Sequence, residues 1–179
     1  ITPKKITPKV TLSTTSYTYN GKVKKPGVTV MDGKTKLSSS QYTVTYASGR
    51  KNVGTYSVKV KLKGNYSGSK TVTFKINPKK TTLKSLTKGK KAITVKWGKQ
   101  SSKMSKYRIT GYQIQLATDK NFKKNVKNVY VSGYSNVSKK VTGLKGGKKY
   151  YVRVRTYKVV DGTTYYSSWS AKKSITTKK

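Results

Sequence analysis

Apolar side chains recur at every second position in several short segments of this chain, and this alternation most constrains its fold. Tyr42, Val44 and Tyr46 alternate with threonines, and residues 56–62 and 72–76 repeat the pattern. A period of two buries one side of each segment and leaves the other in solvent, as in a half-buried β-strand. No comparable helical period is present. The sequence therefore predicts an all-β fold.

Two dipeptides in the first half of the chain predict tight turns between strands. Asn20-Gly21 and Asp32-Gly33 are combinations that favour two-residue hairpin loops. No apolar run approaches the roughly 20 residues of a membrane span. We therefore expect no membrane insertion.

A proline-containing segment divides the chain into two parts. Asn77-Pro-Lys-Lys80 interrupts the alternation and predicts a linker over residues 78–80. Ile1-Thr-Pro-Lys-Lys5 closely parallels Ile76-Asn-Pro-Lys-Lys80. We therefore expect residues 1–7 to be the tail of a preceding, similar domain in a tandem array, with coincidence as the alternative. The predicted organisation is two tandem β-sandwiches, over residues 8–77 and 81–179.

The second part carries four landmarks of a known domain family. Trp97 ends the segment that begins at Ile93, Tyr112 opens an alternating segment, and Leu144 lies six residues before Tyr150. This arrangement resembles a fibronectin type III domain over about residues 81–177. The resemblance implies that Trp97 and Tyr112 lie in the core. It also implies that Leu144 and Tyr150 form the tyrosine corner, in which the phenol hydrogen-bonds to the backbone.

The first part contains four short tyrosine-rich and glycine-rich phrases. They are Tyr17-Thr-Tyr-Asn-Gly21, Tyr42-Thr-Val-Thr-Tyr46, Val53-Gly-Thr-Tyr56 and Gly64-Asn-Tyr-Ser-Gly68. With these phrases the first part resembles the bacterial immunoglobulin-like modules of Gram-positive surface proteins. Such pairs resemble the lysine-rich C-terminal regions of secreted and cell-surface proteins of Gram-positive gut bacteria. The resemblance implies an extracellular protein, secreted or associated with the cell wall. It implies spacing, display or wall association, and no reaction.

Acidic residues and histidine are nearly absent, which argues against an enzyme. The chain has 42 Lys and Arg against three Asp and Glu, with no His and no Cys. General acid–base and nucleophilic catalysis depend mostly on these missing side chains. The carboxylates are Asp32, Asp119 and Asp161, and two of them precede Gly in predicted turns. We therefore expect no catalytic site, no cofactor and no metal.

The net charge of +39 indicates a polyanionic partner. All but four of the basic residues are Lys, which meets phosphate as a point charge and suits diffuse attraction. The predicted partner is an anionic cell-wall polymer, the teichoic acids. A passive spacer whose lysines only keep the surface solvated is an alternative. The candidate polyanion-binding residues are Lys59, Lys61, Lys148, Lys149, Arg153 and Arg155.

Nucleic acid is the rival polyanion. The sequence has neither a recognised binding motif nor a basic stripe with interleaved stacking aromatics. We expect no specific nucleic-acid partner, and a monomeric chain.

The two arginines near the end of the chain have a structural interpretation. Arg153 and Arg155 alternate with valines and should face outward, where Trp169 could stack on both guanidinium groups. A similar Trp–Arg ladder occurs in some fibronectin type III domains. Because only one Trp-Ser pair is present, we expect a partial ladder at most. The alternative is an arginine pair that binds a ligand.

The 15 tyrosines suggest a second class of function. Tyr151, Tyr165 and Tyr166 are candidates for exposure, and exposed aromatic rings can form a platform for sugars. A polysaccharide partner, as for a carbohydrate-binding accessory module of a secreted glycosidase, is thus the alternative hypothesis. The carboxylates that such platforms use to bind sugar hydroxyls are scarce here.

Overall fold

The computed structural model describes residues 2–105 and 107–179 and divides the chain into two compact units, Ile1–Asn77 and Pro78–Lys179. Apart from a 3₁₀ turn at Ser39–Gln41, the regular structure of these residues is β-strand. Each unit has its own sheets and its own buried side chains. The predicted all-β class and sandwich architecture are confirmed.

The strands of the first unit form two main sheets and one short pair. They are β1 (Lys4–Lys5), β2 (Lys9–Leu12), β3 (Ser16–Thr18), β4 (Val28–Asp32), β5 (Thr35–Lys36), β6 (Tyr42–Tyr46), β7 (Gly54–Leu62), β8 (Tyr66–Ser67) and β9 (Ser69–Asn77). One sheet has the order β2-β4-β5 and the other the order β3-β9-β7-β6. The short pair is β1-β8.

The core of the first unit follows the sequence alternation. Val58, Val60 and Leu62 on β7 are buried, as are Phe74 and Ile76 on β9. The strands are in antiparallel register, so their inward rows lie side by side. Because the period of a strand is two, the intervening lysines of β7 are exposed.

The structure changes the assignment of residues 4–6, which were expected to belong to the tail of a preceding domain. β1 pairs in parallel with β8, and the N–H groups of Lys4 and Ile6 donate to the carbonyls of Asn65 and Ser67 at 2.9 and 3.0 Å. These residues therefore belong to the first unit, because Asn65 and Ser67 supply the acceptors that their backbone needs. Ile1 lies outside the described residues, and the preceding domain itself stays a prediction.

The prediction of a hairpin at Asn20-Gly21 is wrong, whereas the predicted turn at Asp32-Gly33 is present. The strand before Asn20, β3, pairs with β9, and the following strand, β4, pairs with β2 and β5. The chain thus changes sheets at this dipeptide, and the Asn20 side chain accepts hydrogen bonds from Lys22 N and Lys24 Nζ. Asp32 ends β4 in a hairpin with β5, in which Gly33 has a left-handed φ of 56°.

The second unit has a three-stranded sheet and a larger sheet. Its strands are β10 (Leu83–Gly89), β11 (Ala92–Trp97), β12 (Gly111–Ala117), β13 (Lys127–Ser132), β14 (Ser138–Val141), β15 (Lys149–Val160), β16 (Thr163–Tyr166) and β17 (Lys173–Thr176). The first sheet has the order β10-β11-β14. The second has the order β13-β12-β15-β16, and β17 also pairs with β15.

The predicted linker is bound into the second unit. The carbonyl of Lys79 accepts a hydrogen bond from Thr156 Oγ1 at 2.7 Å, and that of Lys80 accepts one from Gln100 Nε2 at 3.0 Å. These backbone groups are satisfied by side chains of the second unit, so the structure places residues 79 and 80 inside that unit instead of in a free linker.

Candidate functional site

A stack of alternating aromatic rings and guanidinium groups covers the outer face of β15. Arg153 and Arg155 alternate with buried Val152 and Val154, so both arginines lie on the outward row. The indole ring of Trp169 lies between them, with its centroid 4.4 and 4.2 Å from their Cζ atoms. The structure thus brings together the three residues that the sequence suggests for a cation–π stack.

The stack continues beyond these three residues, so the expectation of at most a partial ladder was wrong. The ring of Phe122 lies 4.0 Å from Arg153 Cζ, and the ring of Tyr166 lies 3.8 Å from Arg155 Cζ. The order is Phe122, Arg153, Trp169, Arg155, Tyr166, and we call this row the cation–π ladder. Each guanidinium is therefore sandwiched between two rings.

Neutral side chains hold the edges of both arginines. Gln115 Oε1 accepts hydrogen bonds from Arg153 Nε and Nη2 at 2.8 and 2.6 Å, and Gln113 Oε1 accepts one from Arg155 Nε at 2.7 Å. Both amide groups donate in turn to Asn128 Oδ1. Because a glutamine orients a guanidinium without cancelling its charge, the ladder keeps two full positive charges. Burial lowers the pKa of both arginines from its usual value, but a guanidinium this basic stays protonated.

The three carboxylates do not form a catalytic pair. Asp32 forms an ion pair with Lys4 at 2.7 Å. Asp119 accepts backbone hydrogen bonds from Lys124, Lys123 and Asn121, and the first of these contributes most to lowering the pKa of its carboxyl. Asp161 occupies a turn with a left-handed φ of 46°. Within the described ranges, no three His, Cys, Asp or Glu side chains are grouped so that they could hold a metal ion.

The predicted polyanion-binding residues fall in three places. Lys59 and Lys61 are exposed neighbours on the outward row of β7, in the first unit. Lys148 and Lys149 are exposed where β15 begins, and Lys149 Nζ lies 5.4 Å from the ring centroid of Tyr151. Arg153 and Arg155 lie in the ladder and are half-buried. The first four are open to solvent, whereas the arginines are held by rings and amides.

The four residues expected in the core and corner of the second unit are buried. Trp97 and Tyr112 pack together with their ring centroids 5.3 Å apart. Leu144 is buried beside the segment that reaches Tyr150, whose hydroxyl accepts a hydrogen bond from Lys145 N at 3.0 Å. A phenol therefore closes this corner by binding the backbone a few residues upstream.

Replacing Tyr150 with phenylalanine is expected to lower the free energy of unfolding of the second unit by about 1–2 kcal/mol, because the backbone N–H of Lys145 loses its partner. Urea unfolding followed by tryptophan fluorescence measures this effect, since both tryptophans lie in the second unit. The matched control is Tyr151→Phe on the next residue, expected to cost under about 0.5 kcal/mol. Equal losses in the two variants would contradict a structural corner.

Cations lie over many of the tyrosine rings. Lys24 lies over Tyr17, and Lys99 and Arg108 lie over Tyr134 at 5.2 and 4.6 Å. Within the described residues, cations also lie over the rings of Tyr46, Tyr151 and Tyr166. Tyr107 and Tyr130 are the tyrosines with more than half of their surface exposed in the described part of the chain. In each of these five tyrosines a cation therefore occupies at least one ring face that a sugar would need.

The expected exposure of Tyr165 was wrong, and the register of β16 explains it. Tyr165 lies opposite Lys158, on the inward row of β15, and both residues are buried. Lys158 Nζ donates to the backbone carbonyls of Tyr107 and Arg108, and burial lowers its pKa. The only sequence feature that could have indicated this burial is the position of Lys158 on the same alternating row as Val152 and Val154.

One family model matches the chain, and its match lies almost entirely in the first unit. Residues 8–80 match the family model of the MBG domain. The match includes residues 8–77 of the first unit and ends at residue 80, where the predicted linker ends. No curated protein matches the chain in sequence.

Several solved structures resemble the chain. The chicken CNTN1 FN1–FN3 domains are 24% identical over 72% of this chain, with a TM-score of 0.46, and the chain covers 44% of that structure. The third fibronectin III domain of the human KIAA0343 protein is 17% identical over 55% of this chain and 82% of its own length, with a TM-score of 0.41. A beta-1,2-glucanase from Parabacteroides distasonis is 19% identical over 68% of this chain and 18% of its own length, with a TM-score of 0.42.

Proposed function

We propose that this chain is a non-catalytic structural and adhesive module of an extracellular protein, secreted or wall-associated, that holds to anionic cell-wall polymers and spaces another domain from the surface. The observation that carries the proposal is the uncompensated positive charge. Against 42 Lys and Arg stand three carboxylates, and each has a local structural role. In residues 2–105 and 107–179, one ion pair is found, between Lys4 and Asp32.

The distribution of the lysines supports diffuse attraction to a polymer. Exposed lysines occur on the outward rows of β7 and β9 in the first unit and on β10, β11 and β14 in the second. A polymer with regularly spaced phosphates, such as teichoic acid, would meet ammonium groups on either unit. This attraction needs no shaped pocket.

The architecture supports the spacing role. Each unit has a core of its own, and the first is built on two clusters of buried side chains, one around Phe74 and one around Val60. No helix in the described part of the chain is long and apolar enough to cross a membrane.

Carbohydrate binding is the competing function, and the tyrosine contacts argue against it. Sugar platforms need open ring faces, whereas here lysine and arginine lie over the rings of Tyr17, Tyr46, Tyr134, Tyr151 and Tyr166. Two of the three carboxylates are already bound, Asp32 by Lys4 and Asp119 by its loop backbone. These contacts favour a polyanion over a neutral polysaccharide.

Co-sedimentation with purified Gram-positive cell walls tests the proposal. We expect the chain to sediment with intact walls near physiological salt and to stay in the supernatant with walls stripped of teichoic acid. Sedimentation that is unchanged by stripping would overturn wall-polymer adhesion and indicate a peptidoglycan or sugar ligand. Loss of binding to intact walls well below physiological salt would leave a passive spacer.

A further inference from the structure

A basic depression lies at one end of the cation–π ladder. Its walls come from the loop between β12 and β13 and from the segment that leads into β17, and Arg153 lies between them. The polar and charged residues around it are Lys120, Asn121, Lys123, Arg153, Ser170 and Lys172. We call this the Arg153 depression. Four cations line it, and no carboxylate does.

The loop that forms one wall is held in a fixed shape. The carboxylate of Asp119 accepts the backbone N–H groups of Asn121, Lys123 and Lys124 at 2.6 to 2.9 Å. This places Phe122 in a left-handed conformation, with φ 58° and its ring against Arg153. The one acidic side chain of this loop is thus bound to the backbone, which leaves the lysine side chains without a counter-charge.

The opposite wall is tied to the same loop. Lys172 Nζ donates to the carbonyl of Lys120 at 3.0 Å. Ser170 joins the wall to β15, because its Oγ accepts a hydrogen bond from Val154 N. The depression is therefore held by contacts across its rim.

Arg153 is oriented before any ligand arrives. Phe122 and Trp169 cover both faces of its guanidinium, and Gln115 accepts from Nε and Nη2. Its remaining N–H donors have no acceptor in the described ranges of the chain. A guanidinium fixed in this way loses little conformational entropy when it binds an anion.

We infer that the Arg153 depression binds one phosphodiester group of a polyanionic chain, with Arg153 as the fixed donor and Lys120, Lys123 and Lys172 as surrounding charges. The donors come from three separate segments and converge from different directions, which suits the tetrahedral oxygens of a phosphate better than a planar carboxylate. The inference rests on the proposed function, because the wall polymer supplies the phosphodiester. It adds a defined site to an otherwise diffuse attraction.

The first test uses glycerophosphoglycerol as a phosphodiester probe and follows the full chain by NMR. We expect the Arg153 Nε–H signal and the backbone amides of residues 120–123 to shift and saturate together. In a variant with Lys120, Lys123 and Lys172 all changed to Gln, the affinity should fall at least about tenfold. A matched variant removes the same charge from exposed positions of the other sheet, with Lys88, Lys96 and Lys140 changed to Gln. Its affinity for the diester should stay within about twofold of the unaltered chain, because the site is intact.

The results separate a site from general charge. Equal weakening in the two triple variants, or shifts spread over the chain without saturation, would overturn the inference. So would a response to acetate, a planar carboxylate with the same single charge, that matches or exceeds the response to the diester.

Wall sedimentation distinguishes failure of this inference from failure of the proposed function. If both triple variants lose wall binding equally and stripping still abolishes it, adhesion is diffuse and the inference alone fails. If the unaltered chain sediments equally with intact walls and with walls stripped of teichoic acid, the proposed function fails. The phosphodiester site then has no wall polymer as its ligand. Greater loss in the Lys120, Lys123 and Lys172 variant supports both.

Discussion

Replacing Trp169 with alanine is expected to destabilise the second unit by about 2–4 kcal/mol, although its ring lies on the outer face of β15 and not in the core. Its ring contacts Arg153 on one face and Arg155 on the other, at 4.4 and 4.2 Å. Alanine would remove two cation–π contacts at once, together with the apolar area that the indole buries. It would also leave two guanidinium groups facing each other without a ring between them.

Two further variants at this position separate the causes. Trp169→Phe keeps a ring and should recover a large part of the loss, whereas Trp169→Leu keeps a similar apolar volume without a π face. Urea unfolding followed by the fluorescence of Trp97, the remaining tryptophan, reports on the second unit alone. Equal stability of the phenylalanine and leucine variants would show that the indole acts through buried area and not through its π system.

The regular part of the fold could be predicted because alternation is a local property. Val58 and Val60 on β7, and Val152 and Val154 on β15, are buried where the period of two places them. Tyr150 could be assigned to a corner because its spacing from Leu144 resembles that of fibronectin type III domains. These inferences needed no knowledge of which strands pair.

The ends of the ladder could not be predicted, because they depend on contacts between segments. Phe122 reaches Arg153 only because Asp119 binds the loop backbone and φ at Phe122 becomes positive. Tyr166 reaches Arg155 because the register of β15 with β16 sets Tyr166 opposite Tyr157. The same register turns Tyr165 into the core. A one-residue shift would exchange the two tyrosines, and the sequence of adjacent tyrosines gives no preference.

The ladder suggests how a chain without glutamate stabilises its buried arginines. In most proteins a carboxylate would accompany a half-buried guanidinium and cancel its charge. Here aromatic faces and glutamine oxygens offset the cost of burial, because both present partial negative charge to the cation. Neither carries a net charge. The arginines are thus held in place while the surface keeps its full positive charge.

Added salt is expected to weaken binding to the polymer and to stabilise the fold, and these are the largest effects that we expect on the chain as a whole. If about four phosphates are contacted, the affinity for a teichoic acid polymer should fall by about two orders of magnitude between about 50 and 200 mM NaCl, because bound counterions are displaced on association. Over the same range the melting temperature should rise by several degrees. Screening, with a Debye length of about 8 Å at physiological ionic strength, weakens repulsion among the lysines.

Sodium sulfate at matched ionic strength is the control for the melting experiment, followed by circular dichroism. The part of the rise that comes from screening should be equal in the two salts at matched ionic strength. Exclusion of sulfate from the protein surface adds a further rise that should be the same in all variants. A melting temperature that stays flat to about 0.3 M NaCl would show that the lysines are too dispersed to strain the fold. Sulfate bound at the Arg153 depression would raise the melting temperature further, because a ligand stabilises the state that binds it. That extra rise should disappear when Lys120, Lys123 and Lys172 are changed to Gln.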